Sequence, residues 1–463
     1  ADLPPFPADF KGDVINRGHP DYRDAIRRWA RSAERQAAVV AFIKDSSDAA
    51  IAIAYARSNG LPLAIRGGGH SSAGASSSED GLVVDCSRYL DTCRVDTASK
   101  VAYVGGGATW SKVDRAAYEQ NLSAVAGTVN CTGVAGLTLG GGFGYLSGQY
   151  GLVIDNLLQA TVVTAKGDKL TASPSENSDL FYGIRGGGSN FGVVTEFVFR
   201  LHDQKPTVFG GLLTYPHTAC PSVMLAFRRY WDIQDPKACA FALFAAAPMG
   251  SITCTLFYDG SEDEGRAHFK EFYDIGPSSD STKAMPYVTA NTMMDQFFPS
   301  GRCDYQKSIA HPVPTAWLAE QCLQKVEEYN FRGGPSAMVM FYAWPKPCII
   351  RQYLEGAYQH TRHPELVFAA VYEDDTPKNA KLAKAIALEL HALVIASDDI
   401  STMTLSECAG YGNHDAEAAS SELQKRAESA RHAFGEAYAR LQELKLRYDP
   451  DMVFDKWRPI MPA

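Results

Sequence analysis

Apolar residues in the first two hundred positions form short runs that glycine-rich and polar segments separate. The runs at 38–43, 61–65, 81–85, 100–104 and 191–201 predict strands, and 158–165 with 169–172 predicts a hairpin. Helices are predicted over 109–120, 179–184 and 46–58, the last capped by Ser46, Ser47 and Asp48. This alternation indicates mixed helices and sheets.

The pattern changes near Lys205, where the glycine clusters stop, and we place a domain boundary there. A strand over 337–344 has Met338, Met340, Tyr342 and Trp344 on one face, which we interpret as ordinary sheet packing rather than a binding wall. Helices are predicted over 379–393 and over 421–447. The apolar face of the second helix predicts that it docks on the core. That face comprises Leu423, Ala427, Ala430, Phe434, Ala437, Leu441 and Leu444.

Composition narrows the class of protein. A chain of 463 residues with 46% hydrophobic content can bury a large core, which argues against intrinsic disorder. The net charge of −9 disfavours binding to nucleic acid or to an anionic membrane. No apolar run approaches the roughly 18 residues of a membrane span. We therefore predict a soluble protein, either a monomer or a small homo-oligomer.

The ten cysteines are spread singly, without a C-x-x-C pair, so we predict no metal site. The chain starts at Ala1 without methionine or an apolar leader, which we interpret as a mature chain after removal of an export signal. The sequon at Asn121 fits export. We therefore expect a secreted protein in which some cysteines form disulfides.

Four glycine triplets mark the candidate binding region, at 67–69, 105–107, 140–142 and 186–188. Glycine lets backbone N–H groups approach a ligand closely, which predicts a large phosphate-bearing cofactor. Neither a P-loop nor a G-x-G-x-x-G fingerprint is present. His70 follows the first triplet, and Cys131 lies in the segment 127–144, which we predict to be a long ordered loop. Both side chains are nucleophiles when deprotonated.

Several motifs resemble those of the berberine-bridge-enzyme-like FAD-linked oxidases of the vanillyl-alcohol oxidase superfamily. They are RGGGHS at 66–71 followed by Gly74, CTGVAGLTLGGGFG at 131–144, YGL at 150–152, DN at 155–156 and RGGGSNFGVVT at 185–195. The likeness covers residues 30–203 and returns at 411–413 and 448–450. It implies an α+β, two-domain fold with FAD bound twice covalently, through His70 to the 8α-methyl group and through Cys131 to C6.

The resemblance also implies the domain layout: an FAD-binding domain over 1–205, a substrate domain with an antiparallel sheet flanked by helices over 206–405, and a segment 406–463 that returns to the first domain. Further residues are implied to contact the cofactor. They are Arg66, Gly67, Gly68, Gly69, Ser71, Gly74, Gly127, Thr128, Gly133, Val134, Gly136, Leu137, Gly141, Gly142, Gly144, Tyr150, Asp155, Gly188, Val194 and Trp457.

The implied reaction is hydride transfer from a C–OH or related carbon of a small organic substrate to FAD, with O2 as the acceptor that yields hydrogen peroxide. Many relatives have Tyr-x-Asn-Tyr where this chain has Tyr411, Gly412, Asn413 and His414. Imidazole, with a pKa of about 6.5, can accept a proton at neutral pH. His414 or Tyr411 is therefore the expected base, with Asn413 beside it.

Some alternatives stay open from the sequence. The substrate is an oligosaccharide or a phenolic or alkaloid-type metabolite. Trp457 either packs near the ring system or only anchors the tail. The rival functions are a dehydrogenase of the same fold that reduces another acceptor, and a non-enzymatic binding protein that retains the flavin.

Overall fold

The structure is a computed structural model that describes residues 3–245, 252–343, 355–358, 364–398, 403, 408–420 and 422–463. Its first part contains two main sheets and a small one. One has the order β1-β2-β4-β3, with β2, β4 and β3 parallel; the other is antiparallel, in the order β5-β6-β10-β8-β9; β11 pairs with β7. The strands are β1 Asp13–Asn16, β2 Val39–Phe42, β3 Leu63–Arg66, β4 Leu82–Asp85, β5 Cys93–Asp96, β6 Val101–Gly105, β7 Leu122–Ser123, β8 Leu157–Val163, β9 Lys169–Ala172, β10 Val193–Arg200 and β11 His202–Asp203.

Short helices connect these strands. They are α1 Tyr22–Ile26, α2 Ser46–Ser58, α3 Trp110–Tyr118, α4 Val134–Leu139, α5 Ser147–Tyr150 and α6 Ser178–Ile184. The predicted helix 46–58 is confirmed, but its N-cap is Asp45, whose carboxylate accepts hydrogen bonds from the Ser47 and Asp48 amides. The predicted hairpin is confirmed as β8 and β9.

An eight-stranded antiparallel sheet dominates the second part. Its order is β15-β12-β14-β13-β18-β19-β17, and β16 also pairs with β12. The strands are β12 Thr207–Tyr215, β13 Ala238–Phe244, β14 Ile252–Tyr258, β15 Ser279–Asp280, β16 Lys283–Pro286, β17 Cys303–Ala310, β18 Ser336–Ala343 and β19 Glu365–Tyr372. The predicted antiparallel sheet is therefore confirmed.

Helices cover one face of this sheet. Residues of three long helices share a buried core with alternate residues of the strands, such as Ala337, Val339 and Phe341 of β18. The opposite face packs on the core of the first part of the chain. The helices of this region are α7 Cys220–Ile233, α8 Glu262–His268, α9 Lys270–Asp274, α10 Tyr287–Ala290, α11 Ala316–Arg332 and α12 Pro377–Ile395.

The C-terminal residues form three helices, α13 Glu417–Ser420, α14 Leu423–Phe434 and α15 Tyr438–Tyr448. The single helix predicted over 421–447 is wrong, because Gly435 has φ +47° and interrupts it. Its apolar face is buried from Ala427 onward, whereas Leu423 is exposed. In the part of the chain that the structure describes, no helix has the length and apolar character needed to cross a membrane.

The segment 127–144 is not a continuous loop, because α4 runs through it. Our prediction treated the whole segment as too rich in glycine for regular structure. Gly133 precedes the helix, and its backbone lies against Gly68 of the first triplet. The helix therefore starts where two glycine segments touch.

Candidate active site

A cleft of about 1520 Å³, its open mouth included, lies between the glycine segments and the eight-stranded sheet. The glycine side is formed by the segments 65–76, 127–140 and 188–189. The sheet side is formed mainly by side chains. They are Phe298, Gln306, Met340 and Tyr342, with Trp29 and His414 beside them.

Backbone contact between glycines shapes the first side. A Cβ added at Gly68 would lie 2.5 Å from the Gly133 Cα, and one added at Gly67 would lie 2.9 Å from the Gly106 carbonyl oxygen. Gly69 has φ +70°, which disfavours other residues. No larger residue fits at Gly68 without moving the backbone. This arrangement suits a cofactor whose phosphates are held by backbone N–H groups.

His70 lines the cleft, and Cys131 lies beside it. The His70 Nε2 and the Cys131 Sγ are 3.7 Å apart. Burial, and next the charge of His414, lowers the pKa of His70 to about 4, so its imidazole is neutral at pH 7 with a lone pair available. Partial desolvation, and next the carboxylate of Asp295, raises the pKa of the Cys131 thiol, which favours its protonated form.

Trp29, which sequence reasoning missed, holds the His70 ring. The two rings are stacked, with centroids 4.4 Å apart and planes 17° apart. The indole Nε1 donates to the Phe298 carbonyl oxygen at 3.2 Å, and the Trp29 amide donates to the Gly69 carbonyl oxygen at 3.0 Å. Trp29 therefore connects the His70 segment to the loop before β17.

Tyr411 is poorly suited to act as a base. Its phenolic oxygen accepts hydrogen bonds from the Asn413 amide Nδ2 at 2.7 Å and from the Gly142 backbone amide at 3.2 Å. These bonds lower the pKa of Tyr411, but burial outweighs them and raises it well above the usual value. At neutral pH the phenol stays protonated, and it serves to hold Asn413 and the glycine loop.

His414 lines the cleft and lies beside a buried carboxylate that the sequence analysis did not identify. The His414 Nδ1 is 3.4 Å from the Glu365 Oε2, and the Glu365 Oε1 accepts a hydrogen bond from the Tyr411 amide at 3.1 Å. Glu365 is fully buried at the start of β19. The sequence did contain a signal for Glu365, because it is an acidic residue at the first position of an otherwise apolar strand.

A second buried carboxyl, Asp304, supports the sheet side. Gln306 Nε2 donates to the Asp304 Oδ2, and Gln306 lines the cleft. Burial raises the pKa of Asp304 to about 7, although this hydrogen bond and the charge of His414 lower it. Two carboxyl groups thus lie near His414, outside the cleft lining.

Trp457 is anchored through its backbone, and its indole lines the cleft. A Cβ at Gly188 would overlap the indole. Asn190 Nδ2 donates to the carbonyl oxygens of Trp457 and Arg458 at 3.2 Å each. The indole therefore lies against the last glycine triplet while the backbone of the tail is anchored to it.

Many of the predicted site residues line the cleft. They are Gly67, Gly68, Gly69, His70, Ser71, Gly127, Thr128, Gly133, Gly136, Leu137, Gly188, Tyr411, Asn413, His414 and Trp457. Cys131 is not in the lining, but its Sγ lies 3.7 Å from the Nε2 of His70, which is. The other predicted residues are not part of the cleft lining. They are Arg66, Gly74, Val134, Gly141, Gly142, Gly144, Tyr150, Asp155 and Val194.

The residues outside the lining have partners of their own. Arg66 pairs with Asp85 at 3.0 Å, and Asp155 pairs with Arg185 at 3.3 Å. Tyr150 stacks on the imidazole of His202 with ring centroids 3.7 Å apart.

The interpretation of one strand face as ordinary packing is confirmed by the burial of Met340 and Tyr342 in the core, and both residues also line the cleft. The same face meets the first part of the chain, so its alternating residues point at the glycine loops rather than into the helix-covered core. Met338 is half-buried and packs outside the cleft lining. Trp344 lies outside the described residues.

A glycine-built cleft that faces an antiparallel sheet, is lined by His70 and His414 and has the buried Glu365 carboxylate beside His414 is typical of a cofactor-dependent enzyme. Two family models match: an FAD binding domain over residues 37–173 and a berberine and berberine-like segment over residues 411–460. An uncharacterised FAD-linked oxidoreductase from Bacillus subtilis is 31% identical over 69% of this chain and 71% of its own length. The chain therefore belongs to the FAD-linked oxidoreductases and is an enzyme.

Solved structures agree on the fold. The crystal structure of 6-hydroxy-D-nicotine oxidase from Arthrobacter nicotinovorans superposes with a TM-score of 0.87, at 25% identity over 99% of both chains. Glucooligosaccharide oxidase from Acremonium strictum, described with a 6-S-cysteinyl, 8α-N1-histidyl FAD, superposes with a TM-score of 0.83 at 19% identity, over 98% of this chain and 97% of that one. The predicted α+β FAD-binding fold of the vanillyl-alcohol oxidase type is confirmed, and FAD is the cofactor that the cleft fits.

No disulfide joins the nine cysteines in the described ranges, which are Cys86, Cys93, Cys131, Cys220, Cys239, Cys254, Cys303, Cys322 and Cys408. The expected disulfides are therefore not found among them. Cys348 lies outside the described residues.

Proposed function

We propose that this enzyme is an oxidase in which FAD is linked both to His70 and to Cys131. It removes hydride from a C–OH or related carbon of a small organic substrate, an oligosaccharide or a phenolic or alkaloid-type compound. The observation that carries the proposal is the 3.7 Å separation of the His70 Nε2 and the Cys131 Sγ. Two nucleophiles this close can both reach one ring system.

The protonation of His70 and Cys131 bears on how each could form its bond to FAD. The neutral imidazole of His70 needs no activation, since its lone pair is free at pH 7. Cys131 has to lose its proton first, and burial raises the pKa of its thiol. Glucooligosaccharide oxidase, which shares the fold, is a precedent for the double linkage.

When bound, FAD supplies the hydride acceptor, and O2 takes up the electrons to give hydrogen peroxide. The protein supplies the base. We assign this role to His414, whose Nδ1 faces Glu365 at 3.4 Å while the ring borders the cleft. A carboxylate beside one ring nitrogen orients an imidazole, so the other nitrogen can accept the substrate proton.

Rapid mixing tests the oxidase assignment without knowledge of the substrate. The purified holoprotein is reduced anaerobically with dithionite and mixed with air-saturated buffer. We expect fast reoxidation with one hydrogen peroxide per flavin. Slow reoxidation by air, with fast reoxidation by an added quinone, would replace the oxidase with a dehydrogenase.

We also propose that the protein is secreted. Asn121 of the sequon is exposed, in a left-handed turn with φ +57°, so a glycan could be attached there. Mass spectrometry of protein secreted by a eukaryotic host would show a glycan at Asn121. A fully unmodified Asn121 would remove this support.

A further inference from the structure

Two consecutive residues, Arg28 and Trp29, hold the loop that carries His70 at both of its ends. The Trp29 amide donates to the Gly69 carbonyl oxygen at 3.0 Å, directly before His70. Arg28 is buried, and its guanidinium donates to the Ser76 carbonyl oxygen from Nε at 3.1 Å and from Nη2 at 2.7 Å. The loop between these two carbonyl groups is therefore tied down before and after His70.

The Trp29 indole is itself fixed by the loop that precedes β17. Its Nε1 donates to the Phe298 carbonyl oxygen at 3.2 Å, and the Gly301 amide donates to the Trp29 carbonyl oxygen at 2.8 Å. Trp29 and Phe298 both line the cleft. The indole cannot turn away from His70 without the loss of the bond from its ring nitrogen.

The indole contacts the face of the His70 imidazole and not its edge, since the ring planes are 17° apart and the centroids 4.4 Å. The terminal torsion of a histidine is broad, so the imidazole plane has little preference of its own. The lone pair of a neutral imidazole nitrogen lies in the ring plane. Stacking by Trp29 therefore fixes the plane of the ring and leaves its nitrogen edge open to a reaction partner.

We infer that Trp29 is a positioning residue that orients the His70 imidazole for its bond to FAD. The inference rests on the proposed function and adds a residue that forms no bond to the cofactor itself. In the bond-forming step an imidazole nitrogen joins the 8α carbon, and one C–H and one N–H bond are lost. The two electrons and two protons pass to the isoalloxazine, and O2 takes them up as hydrogen peroxide. Trp29 acts on the rate of this step, because such a rate depends steeply on orientation.

Replacement of the indole separates attachment of FAD from its binding. In Trp29→Leu the glycine side of the cleft is unchanged, so total flavin per protein, measured by absorbance, should stay close to that of the unmodified protein. Mass spectrometry at intervals after induction of expression gives the share of the His70 peptide that carries flavin. We expect this share to rise about tenfold or more slowly in Trp29→Leu.

Three further variants sharpen the test. Trp29→Phe keeps a ring that can stack but lacks the Nε1–H group, and we expect attachment within about threefold of the unmodified rate. Trp317→Leu makes the same exchange at a position 59% exposed on α11 and should change neither quantity. If Trp29→Leu is insoluble, Trp29→Met fills more of the volume without a ring, and the same slowing is expected.

The outcomes distinguish this inference from the proposed function. Normal attachment at His70 in Trp29→Leu would overturn the inference and leave the double linkage intact. A parallel loss of total flavin and of attachment would also overturn it, because Trp29 would then only support the cleft. Absence of flavin from the His70 peptide of the unmodified protein would contradict the proposed linkage, and the inference with it.

Discussion

The two sides of the cleft are built on different principles. The glycine side is made of backbone, and at Gly68 it has no room for a single added carbon next to Gly133. The sheet side is made of side chains such as Met340 and Tyr342 on β18, which a strand can exchange without moving its backbone. A wall made of backbone suits a cofactor that does not vary. A wall made of side chains suits a substrate that does. We therefore expect the glycine side to tolerate far less change than the sheet side.

The largest effect is expected at Gly68. In Gly68→Ala the new Cβ would meet the Gly133 Cα at 2.5 Å, so the two loops must separate. Overpacking of this kind costs about 1–3 kcal/mol, and here it also opens the cradle. We expect most of the FAD to be lost, measured as flavin absorbance per protein. Gly18→Ala, where the nearest atom would be 3.5 Å away, is the control and should keep full occupancy.

The next largest effect is expected at His414 on the sheet side. His414→Phe removes the base and should slow substrate-dependent flavin reduction by about 10²- to 10⁴-fold, while reoxidation by O2 stays unchanged. Glu365→Gln should give a smaller loss in the same step, because the ring remains but its orienting charge is gone. His432→Phe, at an exposed position, is the control. An unchanged rate of reduction in His414→Phe would remove this residue from the mechanism.

A moderate effect is expected when Cys131, the proposed site of the second covalent bond to FAD, is replaced. Cys131→Ser should leave FAD attached through His70, lower its reduction potential and slow its reduction by the substrate. Cys93→Ser, at a half-buried cysteine of β5, is the control. Potentiometric titration of both variants measures the difference. Identical potentials in Cys131→Ser and the unmodified protein would argue against the sulfur linkage.

The smallest expected effect is a change of thermal stability with pH, caused by Asp304 on the sheet side of the cleft. Burial raises the pKa of Asp304 from its ordinary value to about 7. Its contribution to stability is therefore present at pH below about 4 and is lost as the pH rises through 7. Asp304→Asn removes this loss, so its melting temperature should exceed that of the unmodified protein by more at pH 8 than at pH 5. A constant difference between the two proteins at both pH values would contradict the assignment.

The same contrast explains what the sequence could predict. Glycine clusters and the motif at 66–71 are local, so the glycine side of the cleft, the candidates His70 and Cys131, and most strands of the first part can be predicted from the sequence. The sheet side combines Trp29, Phe298, Gln306, Met340 and His414, which are far apart in sequence. Their meeting depends on which face of β18 turns toward the glycine loops. Periodicity predicts that the strand has two faces but not which one becomes a wall.

Glu365 shows a second limit of the sequence. Glu365 opens β19, which the sequence alone can indicate, but only the pairing of β19 with β17 and β18 brings it to His414. The break at Gly435 was missed for a related reason, since the apolar spacing continues across it. In both cases tertiary packing decided what local pattern left open.

The central claim is tested most directly by tandem mass spectrometry of the digested holoprotein. The account predicts one cross-linked species in which the peptide with His70 and the peptide with Cys131 are joined through a single FAD. In Cys131→Ser the flavin should remain on the His70 peptide alone. Recovery of both peptides unmodified from fully flavin-loaded protein would contradict the claim.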